Sequence, residues 1–442
     1  PEQEYRLGRA WLRQMHARVS VLQDPLVQEY TEDLVYRLAS HGRLSHSDLA
    51  IVVVNSRNIN AFAVPGGVVG LNAGLFLHAE AEDEVAGVVA HELAHISQNH
   101  FARRQSRGKQ INRAMLATML ASLAAAIAGE PQAGMAGMAA SQAGAIQSQL
   151  AYSRHHEREA DRVGMQTLAR AGFDPMAMPD FFQRMLRRKQ YANEPPEFLL
   201  THPLTKDRIA DSRARAARME RPGLDSRQAY HLIRARVRAR FFADAERAVH
   251  YFEQRYTGGN TIQEQAGGYG LALALIRAEA FERADQVLKQ LRSAQPNELW
   301  YWLAQGELAA ARQDYNTAVE RFRGVLEIMP GNHAASAMLA RNLLRDDQAD
   351  EARELLDELL LDRPRDPYLW EMLADAHGQL EHSAHAHRAR GEYLFLTGRE
   401  KQGMKQLNFA LNASEEDFSQ HSRIESRLKE MRKLHREAQE FN

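Results

Sequence analysis

The second half of the chain repeats itself every 34 residues, and this period restricts what it can fold into. Three alanines keep the spacing, and a proline follows each one twelve residues later: Ala284, Ala318 and Ala352, then Pro296, Pro330 and Pro364. A second set of small residues has the same period: Ala272, Gly306, Ala340 and Ala374. A repeat of this length, rich in helix-forming residues and with small residues where two helices would touch, predicts stacked helix pairs.

A 34-residue helix pair is the signature of tetratricopeptide repeats, so we expect such a domain over 226–442. Trp302 and Trp370 occupy the large-residue position of the first helix of their repeats. Residues 228–256 resemble a divergent first repeat, and 418–441 would form a capping helix. An unrelated helical bundle is the alternative interpretation.

The first half, over about 1–221, combines helices with one short strand-rich patch. Residues 49–55 and 60–64 are rich in β-branched or alternating apolar residues, and 68–71 resume after the turn Pro65-Gly66-Gly67. We expect a small antiparallel sheet flanked by helices over 5–19 and 24–41. The predicted fold class is therefore mostly α, with a small β-sheet in the first domain and a repeat solenoid in the second.

The chain contains no cysteine, so any bound metal must be held by histidine or carboxylate side chains. His91-Glu92-Leu93-Ala94-His95 lies within a predicted helix over 82–100 that begins with three acidic residues. Residues four apart share a helix face, so His91 and His95 can bind one zinc ion while Glu92 lies beside it. The alternative is a pair of histidines that are packed for structural reasons.

A third ligand is available about sixty residues further on. Glu157 and Asp161 are four apart and share a face of a second predicted helix, whereas Glu159 points elsewhere. Glu157 would complete a His-His-Glu set that leaves one zinc position open, and Asp161 would orient an imidazole from behind. His155 and His156 compete with Glu157 for the third position.

The pair of motifs, H-E-x-x-H followed by E-x-x-A-D, resembles the gluzincin-type peptidases that include the HtpX heat-shock proteases and the CAAX prenyl endopeptidases. The resemblance covers about 49–209 and includes His202-Pro203 and Arg208. It implies one zinc ion per chain held by His91, His95 and Glu157. It further implies an endopeptidase in which Glu92 is the general base for zinc-activated water.

The same resemblance assigns catalytic positions to His202 and Arg208, with two alternatives for His202. Both residues would stabilise the oxyanion of the reaction, or His202 would occupy the open zinc position and keep the enzyme inactive. A solvated loop histidine is the structural alternative for His202.

Two further segments are candidates for substrate handling. Asn60, Ala61 and Phe62 would lie on an edge strand beside the zinc helix, where an extended peptide can pair through its backbone. Residues 103–153 separate the two ligand helices, and we expect them to form a lid that contacts a membrane or an apolar client. An ordinary supporting hairpin and a buried helix are the respective alternatives.

The resemblance is strongest to repeat-bearing periplasmic members, and it implies misfolded or stalled outer-membrane β-barrel proteins as clients. It also implies that the repeat domain docks on the barrel assembly complex. With 56 basic and 57 acidic residues, the chain has no global charge that favours nucleic acid. The first residue is Pro1, so we expect a signal peptide upstream that is removed. The alternative function is a repeat adaptor or chaperone with a largely latent protease domain.

Overall fold

The computed structural model describes residues 2–44, 48–100, 143–191, 196–220 and 227–440. The chain forms two compact units, one of residues 1–230 with 438–442 and the other of residues 231–437. The predicted division at 221–226 falls on residues outside the described ranges, and the units divide a few residues later.

The first unit is mainly helical. Its helices are α1 (Glu2–Arg18), α2 (Pro25–His41), α3 (Gly74–His78), α4 (Glu82–Ser97), α5 (Ala143–Arg170), α6 (Ala177–Tyr191), α7 (Phe198–Thr201) and α8 (Lys206–Ala216). Asp24 caps α2 by accepting a hydrogen bond from the Val27 N–H, and Pro25 occupies the first helical position. The helices predicted at 5–19, 24–41 and 82–100 are therefore confirmed to within a few residues.

Three strands form one mixed sheet in the order β1-β3-β2: β1 (Ala50–Val54), β2 (Ala61–Val64) and β3 (Val68–Asn72). Strands β2 and β3 are the predicted antiparallel hairpin, and its turn holds Gly66 and Gly67 at φ values of 84° and 77°. Strand β1, however, pairs in parallel with β3, so the expectation of an all-antiparallel sheet is wrong. Residues 55–60 connect β1 to β2 across the position of β3. Strand β3, the second strand of the hairpin, then pairs with β1.

The sheet packs against α1 through aromatic side chains. Trp11 meets the ring of Phe62 edge to face at 5.6 Å, and both side chains are buried. Gly70 lies beneath that ring, where a Cβ would come within 2.0 Å of the Phe62 Cζ. The absence of a side chain at Gly70 therefore lets Phe62 lie flat on the sheet.

The first turn of α4 ties this helix to its surroundings. The Tyr30 hydroxyl donates to Glu82 at 2.7 Å, and the Asp174 backbone N–H donates to Asp83 at 2.7 Å. Arg184 from α6 donates to Glu84. Carboxylates at a helix N-terminus also interact favourably with the helix dipole. Three acidic side chains therefore fix one end of α4 to three separate segments.

Most of the predicted lid lies outside the described residues. Residues 103–142 are not described, and 143–153 are the first turns of α5. Among the helices that the structure does describe, none combines the length and the apolarity that crossing a bilayer requires.

The second unit is a series of helix pairs. They are α9 (Gln228–Phe241) with α10 (Ala245–Glu253), α11 (Ile262–Arg277) with α12 (Phe281–Ala294), α13 (Leu299–Ala311) with α14 (Tyr315–Ile328), α15 (His333–Arg345) with α16 (Ala349–Asp362), and α17 (Pro367–Gln379) with α18 (Ser383–Leu396). Helices α19 (Glu400–Asn412) and α20 (Phe418–Glu440) end the series. The predicted helical repeat fold is confirmed.

The 34-residue period appears directly in the contacts. The repeating alanines Ala284, Ala318 and Ala352 are fully buried. The indole N–H of Trp302 donates to the Pro296 carbonyl, and that of Trp370 donates to the Pro364 carbonyl, both at 2.9 Å. The turn between paired helices holds a left-handed non-glycine residue in four successive repeats, at Glu279, Gln313, Asp347 and Glu381.

A histidine cluster lies between α17 and α18. His382 and His385 are exposed, but His377 is 5% exposed, and its Nδ1 is 3.4 Å from that of His382. Burial, together with the nearby His385, His382, Arg353 and Arg388, lowers the pKa of His377 to about 4. Folding therefore favours the neutral form of this imidazole.

The low pKa of His377 predicts that the repeat unit loses stability in mild acid. The imidazole of His377 binds a proton below about pH 6.5 in the unfolded chain but only below about pH 4 in the folded chain. Lowering the pH from 7 to 5 should cost about 1–2 kcal/mol through this residue. Urea unfolding of the wild type and of His377→Gln at both pH values measures the loss, which should be smaller in the variant. His250→Gln, which replaces an exposed histidine outside this cluster, is the matched control.

Candidate metal centre

Helix α4 carries His91, Glu92 and His95 in its second half. His91 is 0% exposed and Glu92 is 1% exposed, so both side chains are removed from solvent. The Nε2 atoms of His91 and His95 lie 3.1 Å apart. The four-residue spacing thus brings both imidazoles to one point.

Helix α5 presents its own polar face to α4. Glu157, Asp161 and Gly164 follow one another at intervals of four and three residues, so they lie on the same side of α5. At Gly164 the two helix backbones touch, since a Cβ there would lie 2.8 Å from the Ala90 carbonyl oxygen and 3.0 Å from the His91 Cα. The close crossing places Glu157 and Asp161 directly against the histidines.

Four potential ligand atoms converge between the helices. His91 Nε2 lies 3.4 Å from Glu157 Oε2, and His95 Nε2 lies 3.5 Å from Glu157 Oε1. His202 Nδ1 completes the group at 3.3 Å from His91 Nε2 and 3.2 Å from Glu157 Oε1. Ligands of a tetrahedral zinc ion, with bonds of about 2.0–2.2 Å, lie about 3.3–3.5 Å apart. Both the donor types and their separations therefore fit zinc.

Asp161 and Arg208 lie behind this group. Asp161 Oδ1 is 3.0 Å from the Nδ1 of His91, the position from which a carboxylate orients a metal-binding imidazole. Arg208 donates from Nε and Nη2 to Asp161, and its Nη1 lies 2.8 Å from Glu157 and 3.1 Å from the Pro203 carbonyl. All three guanidinium nitrogens are thus engaged, so the geometry favours a holding role for Arg208 over the predicted contact with an oxyanion.

His202 follows α7 and is anchored by stacking. Its ring lies 4.6 Å from that of Phe198 at an interplanar angle of 25°. The Phe198 backbone N–H donates to the Ile59 carbonyl just before β2. Beside it, Glu197 accepts hydrogen bonds from three asparagine side chains, Asn58, Asn60 and Asn72. His202 is therefore not a solvated loop histidine, because its segment is fastened to the sheet.

Glu92 lies between His202 and the sheet. Its Oε1 is 3.3 Å from His202 Nε2, and its carboxylate accepts a hydrogen bond from the Ala63 backbone N–H. Burial raises the pKa of Glu92, and the facing His202 and His91 offset part of that increase. A carboxyl group with a raised pKa is suited to taking up and releasing a proton.

Strand β2 is an edge strand among the described residues, and it lies beside α4. The Asn72 N–H donates to the Asn60 carbonyl, so the backbone groups of Ala61 and Ala63 face away from β3. The three predicted substrate-binding residues thus differ in what they offer. The backbone groups of Ala61 point away from β3 although this residue is fully buried, Asn60 is engaged with Glu197, and the side chain of Phe62 is buried in the core.

The charges of the group follow from its burial and contacts. Burial alone would lower the pKa of His91, but Asp161 and Glu157 outweigh it and raise the pKa to about 9. Burial lowers the pKa of His95 well below its usual value. Burial would raise the pKa of Glu157, yet His202, His91 and His95 hold it well below the usual range. Glu157 is therefore ionised, and a bound metal would displace the proton of His91.

The sequence did not single out two residues near the centre, Gly164 and His100, and it indicated only that Glu159 points away from the metal face. Gly164 permits the helix crossing, and His100 and Glu159 lie behind His95. His155 is exposed, whereas His156 is buried and stacks on His100 at 4.2 Å, so neither competitor of Glu157 is in the four-atom group. His100 follows His95 by five residues and Gly164 follows Glu157 by seven. These spacings were the only sequence signals for the two residues, and neither spacing by itself indicates a contact.

Comparison with known families agrees with this geometry. Peptidase family M48 matches residues 25–216, and the tetratricopeptide repeat matches residues 309–376. Family M48 is zinc-dependent. The fold and the site thus define a zinc metalloendopeptidase followed by tetratricopeptide repeats, which confirms the predicted enzyme class, metal and fold class.

Similar proteins narrow the class further. The chain is 37% identical over 396 residues to a putative beta-barrel assembly-enhancing protease of Vibrio cholerae, covering 89% of this chain and 82% of that protein. It is 32% identical over 432 residues to the beta-barrel assembly-enhancing protease of Escherichia coli K12, covering 98% and 88%. A mitochondrial metalloendopeptidase, OMA1 of Arabidopsis thaliana, is 29% identical over 42% of this chain and 36% of its own length. The chain belongs to the beta-barrel assembly-enhancing protease family.

The helix crossing predicts that Gly164→Ala damages the centre. The added Cβ must push α5 away from α4, which should destabilise the protein by about 1–3 kcal/mol and weaken zinc binding. Unfolding by urea and zinc titration against a chromophoric chelator measure the two effects. Gly324→Ala is the matched control, because its Cβ meets nothing within 4 Å. It should stabilise its helix by up to about 1 kcal/mol, and equal behaviour of the two variants would contradict the crossing argument.

Proposed function

We propose that this chain is an endopeptidase that cleaves unfolded or misassembled β-barrel proteins, with its active centre held latent by His202. The observation that carries the proposal is the convergence of His91, His95, Glu157 and His202 on one point, with Glu92 between that point and the edge of β2. A general base, a metal site and a strand edge in one place match the needs of peptide-bond hydrolysis.

His91, His95 and Glu157 would hold the zinc ion, and Asp161 and Arg208 would keep His91 and Glu157 in position. Zinc, when bound, polarises the peptide carbonyl and the attacking water. This division of labour is supported by the burial of Asp161 and Arg208, which are 3% and 4% exposed.

Glu92 would move the proton. Its carboxylate would take a proton from the attacking water and give it to the leaving amine. Burial raises the pKa of Glu92 and so favours the protonated carboxyl group between these two transfers. The Ala63 N–H, which donates to the Glu92 carboxylate, holds that carboxylate toward the strand edge.

The outer edge of β2 would bind the substrate backbone. Ala61 and Ala63 direct main-chain groups away from β3, and apart from the Ala63 N–H, which donates to Glu92, these groups would pair with an extended peptide as a further strand. Backbone pairing selects for extended chains and not for particular side chains, which suits a protease that removes misfolded proteins. Asn60 and Phe62 would then act as supports of the edge and not as contacts to the substrate.

His202 would act as a brake. A fourth protein ligand leaves no zinc position for water, so cleavage requires that His202 moves away. This arrangement favours a second role beside proteolysis, in which the repeats bind clients while the protease stays latent. The two roles are compatible, since displacement of His202 by a bound client would convert one into the other.

The names of the relatives support a role in outer-membrane β-barrel assembly. We place the chain in the periplasm, with the repeat domain, over about 226–442, docking on the barrel assembly complex. The peptidase domain, over about 1–221, would then act on clients that stall there.

Glu92→Gln should abolish cleavage without disturbing the fold. Removing the general base lowers the rate by about 10²- to 10⁴-fold, while zinc binding by the three ligands persists. Casein cleavage and zinc content measure both. Complementation by the same variant separates the two roles: complete restoration of cellular function would contradict a purely proteolytic function, and complete loss would contradict a pure adaptor.

His202→Ala should raise casein cleavage. Without the fourth ligand a water molecule can enter, and Phe198 still packs in the core, so the fold should persist. Loss of activity by orders of magnitude would show instead that His202 stabilises the oxyanion, which was the other alternative. Initial rates at equal zinc content distinguish the outcomes.

A further inference from the structure

A chain of hydrogen-bonding groups runs away from the zinc centre behind His95. His95 directs Nε2 toward Glu157, and its other nitrogen, Nδ1, lies 2.9 Å from the Nδ1 of His100. The opposite nitrogen of that ring, His100 Nε2, lies 3.2 Å from Glu159 Oε2. Both separations are within hydrogen-bond range or close to it. Three side chains from two helical segments thus form one line that begins at the metal position.

We infer that His100 and Glu159 are positioning residues that orient the imidazole of His95 and present its Nε2 lone pair to the metal. The inference rests on the zinc centre proposed above. It requires one set of tautomers, in which His95 Nδ1–H donates to His100 Nδ1, and His100 Nε2–H donates to Glu159. In that set each nitrogen has a consistent role, because His95 Nε2 must be free of hydrogen to bind zinc.

The backbone and packing hold His100 in place. Asn99 has a left-handed conformation, with φ of 49°, at the end of the zinc helix. This turn brings His100 back toward His95, and asparagine adopts it at lower cost than most residues. The ring of His100 is 5% exposed and stacks on His156 at 4.2 Å with an interplanar angle of 12°. Its orientation is therefore set before any metal binds.

The two zinc-binding imidazoles are supported in related ways. His91 is backed directly by the carboxylate of Asp161, whereas His95 is backed by the carboxylate of Glu159 through one intervening imidazole. A carboxylate behind a ligand histidine fixes its ring and increases its basicity, and loss of such a partner typically costs about 10- to 100-fold in metal affinity. Glu157 and Glu159 are two residues apart on α5, so the same helix supplies a candidate zinc ligand and the carboxylate that contacts His100.

The test is zinc affinity of the full chain, measured by competition with a chromophoric chelator. His100→Phe keeps the ring that stacks on His156 but removes both nitrogens, and it should weaken zinc binding by about 10- to 100-fold. His100→Asn, whose side-chain oxygen can accept from His95, should recover part of the loss. The visible spectrum of the cobalt-substituted protein should change in His100→Phe and return toward the wild type in His100→Asn. A purely structural role for His100 would not produce this rescue.

Glu159→Leu removes the last group of the hydrogen-bonding line and leaves His100 unchanged. It therefore tests the inference even if the His100 variants misfold. It should weaken zinc binding by about tenfold, whereas the matched control Arg158→Leu, at the neighbouring exposed position, should not. Zinc affinity within twofold of the wild type in both His100→Phe and Glu159→Leu would overturn the inference. His95→Ala separates the two hypotheses, because unchanged zinc binding in that variant would overturn the zinc centre itself.

Discussion

The contact between two helix backbones at Gly164 is the constraint on which the metal centre depends. Glu157 and Asp161 reach His91 because no side chain separates α5 from the main chain of Ala90 and His91. The separations among the candidate ligand atoms of His91, His95 and Glu157, from 3.1 to 3.5 Å, therefore depend on this main-chain approach. Flexible side chains then need only small adjustments to coordinate an ion.

The polar groups of the centre illustrate why burial and charge must be considered together. Asp161 and Arg208 would each be costly to bury alone, but together they form a two-point ion pair that also reaches Glu157. The pair holds carboxylates ionised in a site that water scarcely reaches. Since each guanidinium nitrogen of Arg208 already has a partner in Asp161, Glu157 or Pro203, these contacts favour a holding role for this side chain.

Local patterns in the sequence were enough to select the candidate ligands on each helix. His91 and His95 are four residues apart on one helix, and so are Glu157 and Asp161, so helical geometry alone brings each pair to one face. The 34-residue period likewise implies helix pairs, since the repeated small residues mark the positions where two helices must touch. In both instances the information lies within a few turns of the chain.

Features that depend on contacts between distant segments could not be predicted in the same way. The parallel pairing of β1 with β3 depends on the path of residues 55–60, which has no periodic pattern. The burial of His377 beside two exposed histidines depends on how α17 and α18 pack. Gly164 looked like an ordinary helix glycine, because only the position of Ala90 reveals what its missing side chain permits.

The acidic first turn of α4 has a consequence for how the protein handles its metal. Glu82, Asp83 and Glu84 fasten the helix to Tyr30, Asp174 and Arg184, and none of these contacts involves a metal ligand. Helix α4, which carries candidate metal ligands, is thus held in place by neighbouring segments and not by the metal. The position of this helix in the fold does not require a metal, so zinc availability would affect activity before it affected folding.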